Sequence, residues 1–448
     1  MPHYGAFSFT CRAMQATQEV TYNKRIGNAW AFYDWANSVY SLCISTAIFP
    51  LYYGAVLNPD DKKEMMVEFL GFQFEHAALL SYTVSASFLV ISLLLPLMSG
   101  IADYSGRKKQ FMQTFVIIGS LACASLYFFD ADNLWLGITG AFLASIGFAG
   151  SLVFYNAFLP EIAPSSMYDR LSAKGFSMGY IGSVLLLIIC LVMIEMPDTF
   201  GFSGKGAATR FSFLLVAIWW LSFSQITLRI VPEKRRNDKS WGEMVSHGIK
   251  ELKKVWGQLK GLPNTKRFLS AFLFISMGVH TIIYMAGLYA KTELGFQASQ
   301  LILIILIIQL VAAGGAFLFS RLSERIGNIK TMMIQTSIWV LVCLLAFFVT
   351  KDTANFFYVV AFLVGLVLGG VQSLARATYS KLLPETDDHA SFFSFYEITE
   401  KVGITVGTLG FGLVADFIEL RYAPLLLMLF FIIALPLLSS IRKLQFNQ

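Results

Sequence analysis

Ser99-Gly-Ile-Ala-Asp103-Tyr-Ser-Gly106-Arg107-Lys-Lys109 recurs in outline as Ser320-Arg-Leu-Ser-Glu324-Arg325-Ile-Gly327-Asn-Ile-Lys330. Each copy has a carboxylate, a glycine three residues on and a basic cluster, and the two acids stand 221 residues apart. A second pair, Tyr155-Asn-Ala-Phe-Leu-Pro160-Glu161 and Tyr379-Ser-Lys-Leu-Leu-Pro384-Glu385, repeats Tyr, Leu, Pro and Glu at an offset of 224. Two motif pairs at nearly one offset within 448 residues imply a chain built from a duplicated half.

The stretches around these motifs are apolar. Of all residues 56% are hydrophobic and only 14% charged, with mean hydropathy +0.63. A soluble domain carries about 25% charged residues, so disorder and coiled coil are excluded and a cytosolic enzyme does not fit. Many stretches exceed about 18 residues, the length needed to cross the hydrocarbon core. A membrane β-barrel would instead show alternating ten-residue strands. The sequence predicts an all-α polytopic membrane protein with twelve transmembrane helices arranged as two six-helix repeats.

The first six spans fall near residues 28–55, 77–101, 110–129, 134–158, 172–195 and 209–231. The second six fall near 267–291, 298–320, 330–350, 355–380, 392–416 and 422–441. These define an N-terminal tail (1–27), a first bundle (28–231), a linker (232–266), a second bundle (267–441) and a C-terminal tail (442–448). Pro50, Pro96 and Pro436 fall within or near spans, where membrane helices tolerate them. If the N-terminus is cytoplasmic, 26 of the 34 Lys and Arg residues lie on the cytoplasmic side. The positive-inside rule then puts both termini in the cytoplasm. Residues 1–24 lack the order of a signal peptide, so the first span is expected to act as an uncleaved targeting signal.

In the linker, Trp241, Val245, Ile249, Leu252, Val255, Trp256 and Leu259 recur at helical spacing with lysines between them. An amphipathic helix on the inner membrane face or under the bundle is expected. A regulatory, calmodulin-like role is the alternative.

Several chemistries have no motif here. There is no phosphate-binding G-x-x-x-x-G-K-[ST] loop and no H-E-x-x-H. Cys11, Cys43, Cys123, Cys190 and Cys343 form no C-x-x-C pair, so neither a disulfide framework nor a metal site is indicated. No enzymatic activity and no cofactor are expected.

Ionisable groups within spans are costly in hydrocarbon, so each is a candidate for function. Asp34 lies nine residues past Arg25, about 13.5 Å along a helix and near mid-depth. Asn37, Ser38, Ser41 and Ser45 follow at i+3, i+4, i+7 and i+11, a polar stripe that needs a wet cavity. Asp34 as an unpaired acid would bind a proton or a substrate ammonium, with Tyr33, Asn37 and Ser38 beside it. The alternative is a buried acid that only braces helix packing. Span 11 carries Glu397, Glu400 and Lys401, and Glu397 and Lys401 have the i,i+4 spacing of a helical ion pair. Lys401 either is neutralised there or receives a carboxylate from substrate or across the cavity.

Gln372 and Arg376 stand one turn apart on span 10. Arg376 either holds an anion or only reaches the inner surface. His280 and Tyr284 pair on span 7, and a satisfied structural histidine is the competing reading. Tyr155 and Asn156 are placed at the inner vestibule, and Gln309 in a packing hydrogen bond. Gly175 with Gly179, and Gly365 with Gly369, allow close helix contact, as does the run Gly403, Gly407, Gly410 and Gly412.

The 2–3 loop resembles the signature loop of the major facilitator superfamily, G-x-x-x-D-x-x-G-R-[KR], with Ser99 at the first glycine. Trp30-Ala-Phe-Tyr-Asp34-Trp-Ala-Asn37-Ser38 narrows the resemblance, as do Tyr155-Asn-Ala-Phe-Leu-Pro-Glu-Ile-Ala-Pro164 and Phe392-Phe-Ser-Phe-Tyr396 with Lys401. They resemble the vacuole-effluxer family, the autophagy-related vacuolar amino-acid exporters and their prokaryotic relatives. The short linker is closer to the prokaryotic members. The resemblance implies that Asp103, Gly106, Arg107, Glu161, Glu324, Arg325 and Glu385 act as a gate on the cytoplasmic side. There Glu161 is expected to pair with Arg107, and Glu385 with Arg321 or Arg325. Positive-inside anchoring alone is the competing reading.

The expected function is secondary transport of a small polar solute by alternating access, proton-coupled, with amino-acid efflux as the leading reading. The alternatives are a proton-driven drug or metabolite antiporter and a non-transporting receptor on the same fold. The expected partners are the lipid bilayer, a small-molecule substrate and protons, with no nucleic acid. A monomer in a prokaryotic plasma membrane is expected.

Overall fold

The computed structural model describes residues 21–58, 65–233 and 241–441. Residues 1–20 with Cys11 and Arg12, Lys62 and Lys63, 234–240, and 442–448 with Arg442 and Lys443 lie outside the described residues, as do the side chains of Trp241 and Val245.

In hydrocarbon every backbone N–H and C=O must be paired within its own segment, and the apolar stretches accordingly fold as helices. Twelve are long and apolar enough to span a bilayer. In the first half they are Lys24–Leu57, Ala78–Ser105, Lys108–Phe128, Ala131–Ile162, Ser165–Glu195 and Lys205–Ile230. In the second half they are Pro263–Leu294, Gln300–Ile326, Asn328–Phe348, Lys351–Leu382, His389–Ala415 and Leu420–Ser439. The chain is a twelve-span integral membrane protein. A short antiparallel hairpin, Met66–Phe69 with Phe72–Glu75, lies between spans 1 and 2.

The duplication is visible in the packing. Span pairs 1–5, 2–4, 3–6 and 1–6 of the first half recur as 7–11, 8–10, 9–12 and 7–12. The halves meet through spans 2–11 and 5–8, and through 4–11 and 5–10. Each of these pairs maps onto its partner when six is added to or subtracted from the span numbers, as a pseudo-two-fold requires. The motif glycines have a backbone role in this frame. Gly106 ends span 2 at φ 66° and Gly327 separates spans 8 and 9 at φ 87°, conformations that side-chain-bearing residues rarely adopt. Gly106 therefore terminates the helix of span 2.

Small residues set the closest approaches. A Cβ on Gly369 would lie 2.0 Å from the Ala312 carbonyl oxygen, and one on Gly407 would lie 2.4 Å from that of Met277. Span 1 departs from regular helix over Tyr40–Ala47, where the backbone is π-helical and the Ile48 N–H reaches back five residues to the Cys43 carbonyl.

The linker forms a helix, Trp241–Gly261, docked under the bundle against both halves. On span 2, Gly248 packs on Gly100 so closely that a Cβ there would lie 2.4 Å from the Gly248 oxygen. His247 also stacks on Tyr104 at 4.5 Å. On span 11, Lys254 binds Asp388 at 2.6 Å and Trp256 meets the Phe395 ring. Met244, Val255 and Leu259 are buried beneath it.

Candidate functional site

A cavity of about 320 Å³ lies between the halves, within the size range of small-molecule sites. Its polar end is built from Asp34, Asn37, Ser38, Ser41 and Thr46 of span 1 and Asn156 of span 4. The second half contributes His280, Gln372, Arg376, Glu397, Glu400 and Lys401. Beyond these the wall is mostly apolar, with Ile275, Val279, Ile304, Val364, Leu368 and Leu427 among its residues, and Ser183, Ser276, Tyr284 and Gln309 add isolated uncharged polar groups. The π-helical turn changes the phase of span 1, so that Thr46 rather than Ser45 faces the cavity.

Asp34 is not the unpaired acid of the sequence reading. Its Oδ2 accepts hydrogen bonds from the Tyr155 hydroxyl at 2.8 Å and from Arg376 at 3.0 Å. Arg376, in turn, does not reach the surface. It is fully buried, donating to the Ser172 hydroxyl (2.8 Å) and carbonyl (3.0 Å) and to Asn156 Oδ1 (3.3 Å). The rings of Trp30, Tyr155 and Phe176 lie within 5.2 Å of its guanidinium carbon. Arg is suited to such a site because its planar fork satisfies several acceptors and stacks on aromatic faces. Gly175 makes room for the pair, since a Cβ there would lie 2.3 Å from Asp34 Oδ2. Tyr33 is buried against the Tyr155 ring, off the cavity wall. Tyr155 likewise is a buried partner of Asp34 rather than a vestibule residue.

A second polar cluster continues from the first. Asn156 Nδ2 donates to Glu397 Oε1 at 2.9 Å. Lys401 lies 3.2 Å from Glu397 Oε2 and donates to Glu400 Oε1 at 2.5 Å. His280 Nε2 stands 3.8 Å from Glu400 Oε2. Lys401 is thus held by the two acids of its own span. Gln372 accepts from the Tyr180 hydroxyl. A continuous polar chain runs from Asp34 to His280, crossing between the halves at Asp34–Arg376, at Arg376–Asn156 and at Asn156–Glu397.

One end of the cavity is sealed by contacts at the face that carries the 2–3 loop. Asp103 accepts from the backbone N–H groups of Ala390 (3.2 Å) and Ser391 (2.7 Å), which open span 11. It also lies 3.0 Å from Lys108 Nζ. Lys108 binds Glu161, which also meets His389 Nδ1 at 3.2 Å. The partner of Glu161 is therefore Lys108, not Arg107, because the left-handed turn at Gly106 starts span 3 at Lys108 and carries its side chain inward.

The pseudo-symmetric seal lies at spans 5 and 8. Asp169 binds Ser323 (2.8 Å), Asn328 (2.8 Å) and Lys381 (2.7 Å), while Arg170 grips Glu324 with two hydrogen bonds of 2.5 and 2.8 Å. Among the described residues Glu385 forms no ion pair with Arg321 or Arg325, and Arg325 pairs with no acid; Glu385 and Arg325 are exposed. The sequence reading missed Lys108, Asp169, Asp388 and His389. All four sit in or just before the first turn of a span, close to the loops that join the spans.

Two pseudo-symmetric six-helix bundles, a mid-depth cavity of mixed charge between them and a seal that crosses the halves define a transporter of the major facilitator type. The fold is similar to that of the E. coli fucose:proton symporter FucP (TM-score 0.63, 16% identity, covering 94% of this chain and 98% of that one). It is equally similar to the human organic anion transporter MFSD10 (TM-score 0.64, 13% identity, 92% and 98%). Within that class the chain belongs to the vacuole effluxer Atg22-like family, whose profile matches residues 22–444. It is 32% identical over 420 residues to the MFS-type transporter YxiO of Bacillus subtilis, covering 93% of this chain and 94% of that one. It is 24% identical over 501 residues to Autophagy-related protein 22 of Coccidioides immitis, covering 86% and 81%.

Proposed function

We propose that the chain exports amino acids by alternating access, coupled to protons. The observation that carries this reading is the make-up of the cavity. Carboxylates and cations stand together at one end, where they suit the ammonium and carboxylate of a zwitterion. The remaining wall is mostly apolar and carries no charge, and suits an uncharged side chain. Amino acids with apolar side chains are therefore the preferred solutes. The seal on the loop face is made of bonds between halves, and such contacts break when the two repeats rock about a central site. Lys/Arg asymmetry supports placing that sealed face in the cytoplasm of a prokaryotic cell, with both termini there, and a monomer suffices for the cycle.

The test is flux of a labelled amino-acid mixture in proteoliposomes, with and without an imposed pH gradient. Gradient-driven accumulation, greatest for apolar amino acids, is the expected result. Absence of flux for every amino acid overturns the reading and turns the search to drugs and other metabolites.

A further inference from the structure

The charges on the cavity wall do not balance. Three carboxylates, Asp34, Glu397 and Glu400, face two cations, Arg376 and Lys401. Arg376 is committed to Asp34 at 3.0 Å. Lys401 must serve both Glu397 and Glu400. Its alignment favours Glu400, because Glu397 Oε2 is buried and accepts no hydrogen bond although Lys401 Nζ is 3.2 Å away. One negative charge is left over in a site where an uncompensated charge is costly. The histidine in contact with this cluster is His280, whose Nε2 lies 3.8 Å from Glu400 Oε2 and which lines the cavity.

We propose that His280, set against Glu400, is the proton-carrying site of the transport cycle. The proposal rests on the proton-coupled reading and replaces Asp34 as its centre.

The step is a simple proton transfer. A hydronium ion in the cavity gives its proton to the neutral imidazole at Nε2, leaving water, and the imidazolium N–H points at Glu400 Oε2. Histidine suits the task because its charge changes near neutral pH. The cluster then passes from net −1 to neutral. With His280 charged, Glu400 has a second cation, and Lys401 is released to align with Glu397. Glu397 then no longer depends on Asn156, which belongs to the other half. Proton binding at His280 thereby weakens a bond that must break when the halves part. Spans 7 and 11 both belong to the second half and pack together, so the His280–Glu400 pair travels intact while the Asn156–Glu397 and Asp34–Arg376 links open.

The surroundings contain the groups already named and few others. Span 11 supplies Tyr396, Glu397 and Lys401, span 7 supplies Tyr284, span 4 supplies Asn156 and span 10 supplies Arg376. Span 2 presents the Phe88 ring to Lys401, with Asp103 engaged farther along at Ala390 and Ser391. Beyond Tyr422, span 12 contains no titratable side chain.

Two measurements test the assignment. In proteoliposomes an imposed gradient of one pH unit drives about tenfold accumulation at one proton per solute. His280→Gln and Glu400→Gln are each expected to abolish that gain, lowering the ratio of gradient-driven accumulation to downhill exchange of the amino-acid mixture about tenfold. The second measurement needs no solute. In protein labelled with 15N-histidine in nanodiscs, the His280 signal, identified by its loss in His280→Gln, should titrate. Glu400→Gln should shift its midpoint down by about one unit, since a neighbouring carboxylate favours the charged imidazole. A wild-type protein that couples to the gradient, with variants that couple as well, overturns the His280 assignment alone. Downhill exchange without gradient coupling in the wild type overturns the proton reading together with it. A His280 signal that does not titrate also overturns the assignment.

Discussion

Asp34 and Arg376 determine each other's chemistry. Each is buried in a membrane span and each is the other's counter-charge. Removing one partner leaves the other uncompensated, at a cost of about 3–5 kcal/mol, whereas an apolar replacement of both is far milder. Asp34→Asn should therefore lower both thermal stability and transport. The double variant Asp34→Asn with Arg376→Met should recover stability but not transport. Melting in detergent and flux in proteoliposomes check this, and wild-type rates in Asp34→Asn would remove the pair from the mechanism. Gly175 belongs to the same site. Gly175→Ala places a methyl group where Asp34 Oδ2 now sits, 2.3 Å away. Displacing a positioned group by about 1 Å can cost a hundredfold in rate, so transport should fall sharply while expression is kept.

At the scale of elements, the start of span 11 is where several contacts converge. Its first N–H groups have no partners within the helix and carry the positive end of the helix dipole, and Asp103 of the other half supplies the acceptor. Hydrogen bonds to a charged group contribute about 1.5–3 kcal/mol each. Asp103→Ala should thus destabilise the sealed state and reduce turnover more than substrate affinity, which saturation curves in proteoliposomes separate. The linker helix adds Lys254 to Asp388 at the same helix start. The hydrogen bond to Asp388 raises the Lys254 pKa from its ordinary 10.5. The contact is then fully present at neutral pH and is lost only as pH rises through that raised value. Lys254→Ala should speed proteolytic cleavage of the linker by an amount that does not vary between pH 6 and 8, since even at pH 8, about 2.5 units below 10.5, the lysine stays charged.

For the whole molecule, the pseudo-two-fold makes the two seals counterparts. Asp103 at spans 2–11 and Asp169 at spans 5–8 both close the loop face from the first half. Arg170–Glu324 is the outer pair of the second seal and is exposed, so water screens it and its contribution is small. That is enough to shift a balance between two conformations without endangering the fold. Arg170→Glu should favour opening at this face, measured as faster labelling of a cysteine placed at Ser373. The swap Arg170→Glu with Glu324→Arg should return labelling toward wild type.

The linear chain determined a great deal. Composition and span length settle the membrane class, because a bilayer admits few backbone solutions. Two motif pairs at nearly one offset settle the duplicated bundle, because each copy must bury the same faces. The polar residues of spans 1, 10 and 11 were legible as a site because hydrocarbon makes them expensive. Their partners were not. Asp34 and Arg376 are 342 residues apart, and Asn156 and Glu397 are 241 apart. Helical periodicity fixes which face a residue occupies but not which face of another span it meets. The tertiary structure alone decided that Asp34 is paired, that Lys108 replaces Arg107 at Glu161, and that Thr46 replaces Ser45 on the cavity wall. It also left the Glu397–Glu400 pair, which meets His280 through Glu400, with one negative charge in excess. Charges in a low-dielectric interior are matched through space, and that matching is a property of packing rather than of sequence order.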